Sequence, residues 1–165
     1  MNKKTSILLV ALTLMLNVVI ACEDSGNKAE NTEAKGPEAE VVNSYLQLKE
    51  ALVATDAEKA KQAAQTLAEK ARMLKAETLK ASIISAANLI ADSDDIEIQR
   101  AQLDDLSVSI YDLAKSFEID MTLYFQHCPM ANEGAGGYWL SASKEIQNPY
   151  YGSKMMKCGS VKEEL

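Results

Sequence analysis

The chain has 165 residues, 47% of them hydrophobic, and 17 basic against 24 acidic side chains leave a net charge of −7. That is one domain's worth of sequence with enough apolar material for a core. Its acidity argues against nucleic acid and against a polybasic lipid contact. One histidine, no nucleophile elbow, no phosphate loop and no closely spaced cysteine pair leave nothing from which to expect an enzyme.

Residues 1–21 read as a signal peptide. Lys3 and Lys4 precede an apolar run, Ile7 to Ile20, broken only by Thr13 and Asn17 and too short for a comfortable transmembrane helix. The run ends in Val19-Ile20-Ala21-Cys22, which resembles a bacterial lipobox. The resemblance implies cleavage before Cys22 and its acylation, and more than one acyl chain would hold the protein stably at a membrane. The mature chain would then have 165 − 21 = 144 residues, and loss of two lysines takes the charge from −7 to −9. The expected location is the cell envelope, on the periplasmic or outer-membrane face. Residues 22–39, nearly free of apolar bulk and closed by Gly36-Pro37, read as a flexible polar tether.

A single domain is expected over residues 40–165. Val41, Tyr45, Leu48 and Leu52 recur at spacings of four, three and four, which predicts a first amphipathic helix. Thr55 and Glu58 form a capping-box pattern for a second, striped by Ala60, Ala63, Leu67, Ala71 and Leu74. Leu79, Ile83, Ala86 and Ile90 mark a third helix, ending at Asp92-Ser93-Asp94-Asp95. No Gly or Pro separates it from the second, so the two read equally as one long helix. Leu103, Leu106, Ile110, Leu113 and Phe117 give the clearest stripe. The fold class is therefore mainly α: an antiparallel bundle of about four helices, carrying an irregular C-terminal segment with one short strand or hairpin. Met121 to Gln126 is the β-rich stretch within that segment.

The C-terminal segment concentrates the soft ligands. After residue 120 lie four of the seven methionines, two of the three cysteines, the lone histidine and the lone tryptophan. Thiolate, thioether and imidazole form the set that copper(I) and related soft metals prefer. Adjacent side chains on a strand point to opposite faces, so His127 and Cys128 do not easily share an ion. The inner set is then Cys128, Met130, Met155 and Cys158, with His127 as alternate ligand or outer orienter and Trp139 and Met156 as capping or surrounding groups. A zinc site would use more His, Cys or carboxylate and no Met. An exported chain also meets oxidising conditions, and a Cys128–Cys158 disulfide is the alternative reading. It would close a loop of about 30 residues and contribute roughly 3–4 kcal/mol.

The segments His127-Cys128-Pro129-Met130-Ala131, Tyr138-Trp139-Leu140-Ser141, Asn148-Pro149-Tyr150-Tyr151-Gly152 and Met155 with Cys158-Gly159 resemble a family of domains of unknown function from Gram-negative bacteria. These occur as small lipoproteins or fused to periplasmic adaptor subunits of copper and heavy-metal efflux pumps. Gly136-Gly137-Tyr138-Trp139 departs from the Gly-Ala spacing of that pattern, and Met156 stands where an aliphatic residue is expected. Cys128-Pro129-Met130 is also similar to the core of short heavy-metal-binding modules. The resemblance implies a protein binding copper(I), or zinc or another soft metal, in efflux or sequestration, with an efflux adaptor or pump as partner. The rival is a disulfide-stapled helical module that docks on such an adaptor and binds no metal.

Overall fold

Helix begins at Pro37, three residues inside the stretch read as tether. Proline suits this place because its fixed φ is helical and its missing N–H would have had no partner. The computed structural model describes residues 36–165; the signal peptide, Cys22 and the tether up to residue 35 lie outside the described residues. Helix α1 (Pro37–Val53) carries Glu38 and Glu40 in its first turn, where the helix dipole favours acids, and buries Val41, Val42, Tyr45, Leu48 and Leu52. It ends in a Schellman pattern, with the Thr55 N–H on the Leu52 carbonyl at 3.1 Å and the Asp56 N–H on the Ala51 carbonyl at 3.0 Å. Thr55 takes the left-handed conformation usually left to glycine, φ 59. It is therefore used up in ending α1, and Asp56, not Thr55, caps α2 (Ala57–Ala71) by accepting from the Lys59 N–H at 3.0 Å.

The second and third helices are separate. After Ala71 the N–H groups of Met73 and Leu74 reach back only three residues, to Lys70 and Ala71, which tightens the turn. Leu74 then drops into the core at 2% exposure and draws the chain off the helix axis. Helix α3 (Glu77–Ala91) buries Ile83, Ala86, Ala87 and Ile90. A six-residue α4 (Ile96–Ala101), capped by Asp95, leads into α5 (Leu103–Ser116), whose inward face is Leu103, Leu106, Ile110 and Leu113. Phe117, read as the last residue of that stripe, is extended and 37% exposed. Helix α1 packs on α2, α2 on α3 and α3 on α5. The protein is mainly helical as expected, with four longer helices and one short one among the described residues. No described helix is long and apolar enough to cross a membrane.

The C-terminal segment holds more sheet than a single strand or hairpin. Strands β1 (Tyr124–Cys128), β2 (Gly137–Ser141) and β3 (Ser160–Glu164) form an antiparallel sheet in the order β2-β1-β3. The outward N–H groups of β2 would be unpaired at a free edge. The helices satisfy them: Tyr138 N–H donates to Asp104 at 2.6 Å and Leu140 N–H to the Tyr45 hydroxyl at 3.1 Å. The Tyr45 hydroxyl in turn donates a hydrogen bond to Ser107 at 2.7 Å, and Ser107 donates to the Leu103 carbonyl at 2.7 Å. Burial pushes the Tyr45 phenol up to about 12, so it stays a neutral link in this chain.

The two sheet faces have different covers. Phe125 stacks between Tyr111 of α5, at 4.2 Å, and Tyr138, at 4.8 Å, and so joins one face to the bundle. Gln126 and Cys128 alternate onto the other face. There the Gln126 carboxamide donates to the Ser143 carbonyl at 2.9 Å, tying down the 142–159 segment.

Candidate metal centre

Cys128 is the last residue of the central strand. Pro129 follows at the second position of a β-turn closed by the Ala131 N–H on the Cys128 carbonyl at 3.4 Å, so the chain leaves the sheet at once. Cys158 comes from the other side. Its N–H bonds to the Met155 carbonyl at 3.0 Å, and Gly159 at φ 145 then turns the chain into β3. A Cβ at Gly159 would stand 2.7 Å from the Trp139 ring and 3.0 Å from the His127 carbonyl, so only glycine fits that close approach. Pairing of His127 with Ser160 across β1 and β3 brings the two cysteine segments together. Their Sγ atoms lie 3.0 Å apart, both as free thiols, Cys128 buried and Cys158 half-buried.

The neighbouring Cys128 sulfur governs the ionisation of Cys158. The Cys158 thiol is raised above its ordinary value, first by its hydrogen bond with Cys128, then by burial and by the charge Cys128 would carry; the Met130 N–H directed at it acts in the opposite sense. Ionising both therefore calls for something to neutralise the pair. A soft cation does this directly. With metal–sulfur bonds of about 2.3 Å, two sulfurs on one ion stand roughly 3.7 Å apart in a tetrahedral shell and 4.6 Å in a linear one. From 3.0 Å the observed gap has to widen by about 0.7 Å for the first and about 1.6 Å for the second, a movement that falls to the half-exposed Cys158 turn. If an oxidant takes two electrons and the thiols lose their two protons, closing the gap instead makes a disulfide.

The other expected ligands divide. Met130 and Met155 belong to the two turns next to the cysteines and are 54% and 37% exposed, and Met156 is half-buried. The His127 imidazole lies on the opposite face of β1 from Cys128, over the Tyr138 ring at 4.4 Å, as strand alternation requires. Trp139 is fully buried on the cysteine face, in edge contact with Tyr150 at 6.1 Å and against Gly159. Among the described residues, no group of three or more His, Cys, Asp or Glu side chains is placed to hold a metal ion. Any ligand beyond the two sulfurs would have to be of another kind, such as a thioether.

The Asn148-Pro149-Tyr150-Tyr151-Gly152 segment does more than turn. The Asn148 carboxamide donates to the Cys158 carbonyl at 2.7 Å and accepts from the N–H groups of Tyr150, at 2.8 Å, and Tyr151, at 3.2 Å. The Pro149 carbonyl accepts from Arg100 at 2.9 Å, and the same guanidinium holds the Leu52 carbonyl and the Thr55 hydroxyl at the end of α1, each at 3.0 Å. Tyr150 is buried and donates to the Tyr138 carbonyl at 2.6 Å; burial, then its neighbours Tyr45 and Asp104, raise its phenol far above the ordinary range. Sequence reasoning passed over Arg100 and Asp104. Arg100 carried a signal, as one of only two arginines in a chain that otherwise uses lysine; planar, multidentate capping is what arginine does and lysine does not. Asp104 on a polar helix surface carried none.

Residues 41–122 match a sequence family described as Protein of unknown function (DUF3347). The match runs from within α1 to just before β1, so it takes in the helices and neither Cys128 nor Cys158. No curated protein and no solved structure matches the chain.

Proposed function

We propose that the protein is a lipid-anchored cell-envelope protein that binds copper(I), or a similarly soft ion, as cargo for efflux or sequestration. The observation that carries this reading is the 3.0 Å approach of two free thiols drawn from segments 30 residues apart. Thioethers from Met130 and Met155 stand in the same two turns, and two thiolates with thioethers are a donor set for copper(I) more than for zinc. His127 would act from outside the shell, and Trp139 and Met156 would shield it. The role is binding, with no turnover. The lipid on Cys22 and an efflux adaptor as partner rest on the sequence resemblances.

The reduced protein should withhold copper(I) from a chelator in a competition titration, and Cys128→Ser should lose that retention. Met130→Leu and Met155→Leu keep side-chain volume, so they should weaken retention with little change in melting temperature. Full retention by Cys128→Ser sinks the reading, and full retention by both methionine variants removes the thioethers from it. A second reading is favoured by the same short distance: a disulfide-stapled module that docks on an efflux adaptor without metal. Under it the reduced wild type withholds no copper(I).

A further inference from the structure

We propose that Tyr151, working through Asn148, is the positioning residue for the two sulfurs: its phenol holds the Met130 turn while Asn148 holds the Cys158 backbone. The inference deepens the metal reading and rests on the same sulfur pair. Asn148 is fully buried, and its backbone N–H donates to the Met156 carbonyl at 2.9 Å while its carboxamide donates to the Cys158 carbonyl at 2.7 Å. The oxygen of that carboxamide accepts the Tyr151 N–H at 3.2 Å, which fixes where the tyrosine starts. The Tyr151 hydroxyl then donates to the Met130 carbonyl. Met130 lies two residues after Cys128, inside the turn that the Ala131 N–H closes on the Cys128 carbonyl.

A continuous run of hydrogen bonds thus links Cys158 through Asn148 and Tyr151 to the Cys128 turn without passing through either sulfur. Its effect is on effective concentration: with both backbones held, each sulfur is presented to the other, or to a shared ion, at less entropic cost. The Tyr151 link is the half-exposed one. Replacing it with phenylalanine removes only the bond to Met130, because the ring and the backbone bond to Asn148 remain.

The test uses Tyr151→Phe in the full chain with two readouts. One is competition with a copper(I) chelator. The other is the equilibrium of the cysteine pair in a glutathione buffer, where glutathione disulfide accepts two electrons, Cys128 and Cys158 join as a disulfide, and their two protons end on two glutathione thiols. Loss of one hydrogen bond should reduce both copper(I) retention and disulfide formation by about threefold to tenfold, with the melting temperature of the reduced protein lowered by no more than about a few degrees. Wild-type values in both readouts overturn the proposal. A lowered melting temperature with an unchanged glutathione equilibrium also overturns it, since Tyr151 would then be a packing contact. If wild type itself withholds no copper(I), the metal reading ends, and the glutathione equilibrium still decides the positioning role.

Discussion

Gly152 sits in the left-handed region at φ 54, under the Arg100 guanidinium. A Cβ there would lie 2.5 Å from the Thr55 hydroxyl, 2.8 Å from Arg100 Nη2 and 2.9 Å from the Val53 carbonyl. These are the groups that end α1 and receive the Asn148 segment, so the intrusion strikes the joint between bundle and sheet. Gly152→Ala should therefore destabilise the protein by about 2 kcal/mol or more, the left-handed penalty plus the displacement of a buried arginine. A denaturant titration measures it, and a midpoint equal to wild type would refute the account. Thr55 bears the same kind of strain in reverse: a non-glycine residue at φ 59 whose hydroxyl accepts from Arg100.

Between elements, β3 meets α5 at a polar, partly exposed joint. Glu163 accepts from the Tyr111 hydroxyl and from Lys115, each at 2.7 Å, and the Leu123 and Leu165 backbones exchange hydrogen bonds at 3.2 and 2.8 Å beyond it. Lys115, then the Tyr111 hydroxyl, hold the Glu163 carboxyl below its ordinary value of 4.5. A lowered folded-state value means that the contribution is complete above the unfolded value and is lost as pH falls through the folded one. The protection factors of the β3 amides should thus fall below about pH 4.5, while those of α2 hold. Glu163→Gln should remove that pH dependence, and equal acid sensitivity in the variant would assign it elsewhere. Strand β3 escaped sequence reading for the same reason that its joint is polar. An edge strand of Ser, Val, Lys, Glu and Glu needs no apolar alternation, because its hydrogen bonds to β1 and its charged neighbours hold it.

At the scale of the whole molecule, the cysteine pair closes 30 residues of chain that carry β2, the Asn148 segment and the Arg100 contact. Oxidation would deprive the unfolded chain of that freedom, so the oxidised protein should be more stable than the reduced one by about 3–4 kcal/mol in the chain-entropy account. Thermal melts with and without reductant measure the difference, and equal melting temperatures would mean that the pair does not oxidise or that strain cancels the gain. The helices α1, α2, α3 and α5 were legible because burial on one face of a helix writes a period of three and four into the sequence, as Leu103, Leu106, Ile110 and Leu113 show. The soft-ligand segments were legible as chemistry, and strand alternation alone already separated His127 from Cys128. Short α4 and the third strand were not, since each depends on partners remote in the chain, and the cap at Asp56 was not because Thr55 beside it offers the same kind of capping side chain. The joining of the two sulfurs belongs to the same class: it follows from β3 pairing beside β1, from Gly159 fitting against Trp139, and from Asn148 holding Cys158. The local sequence determined which residues could turn, cap or ligate. Only the tertiary structure decided which of them meet, because a contact across 30 residues is set by the packing of everything between.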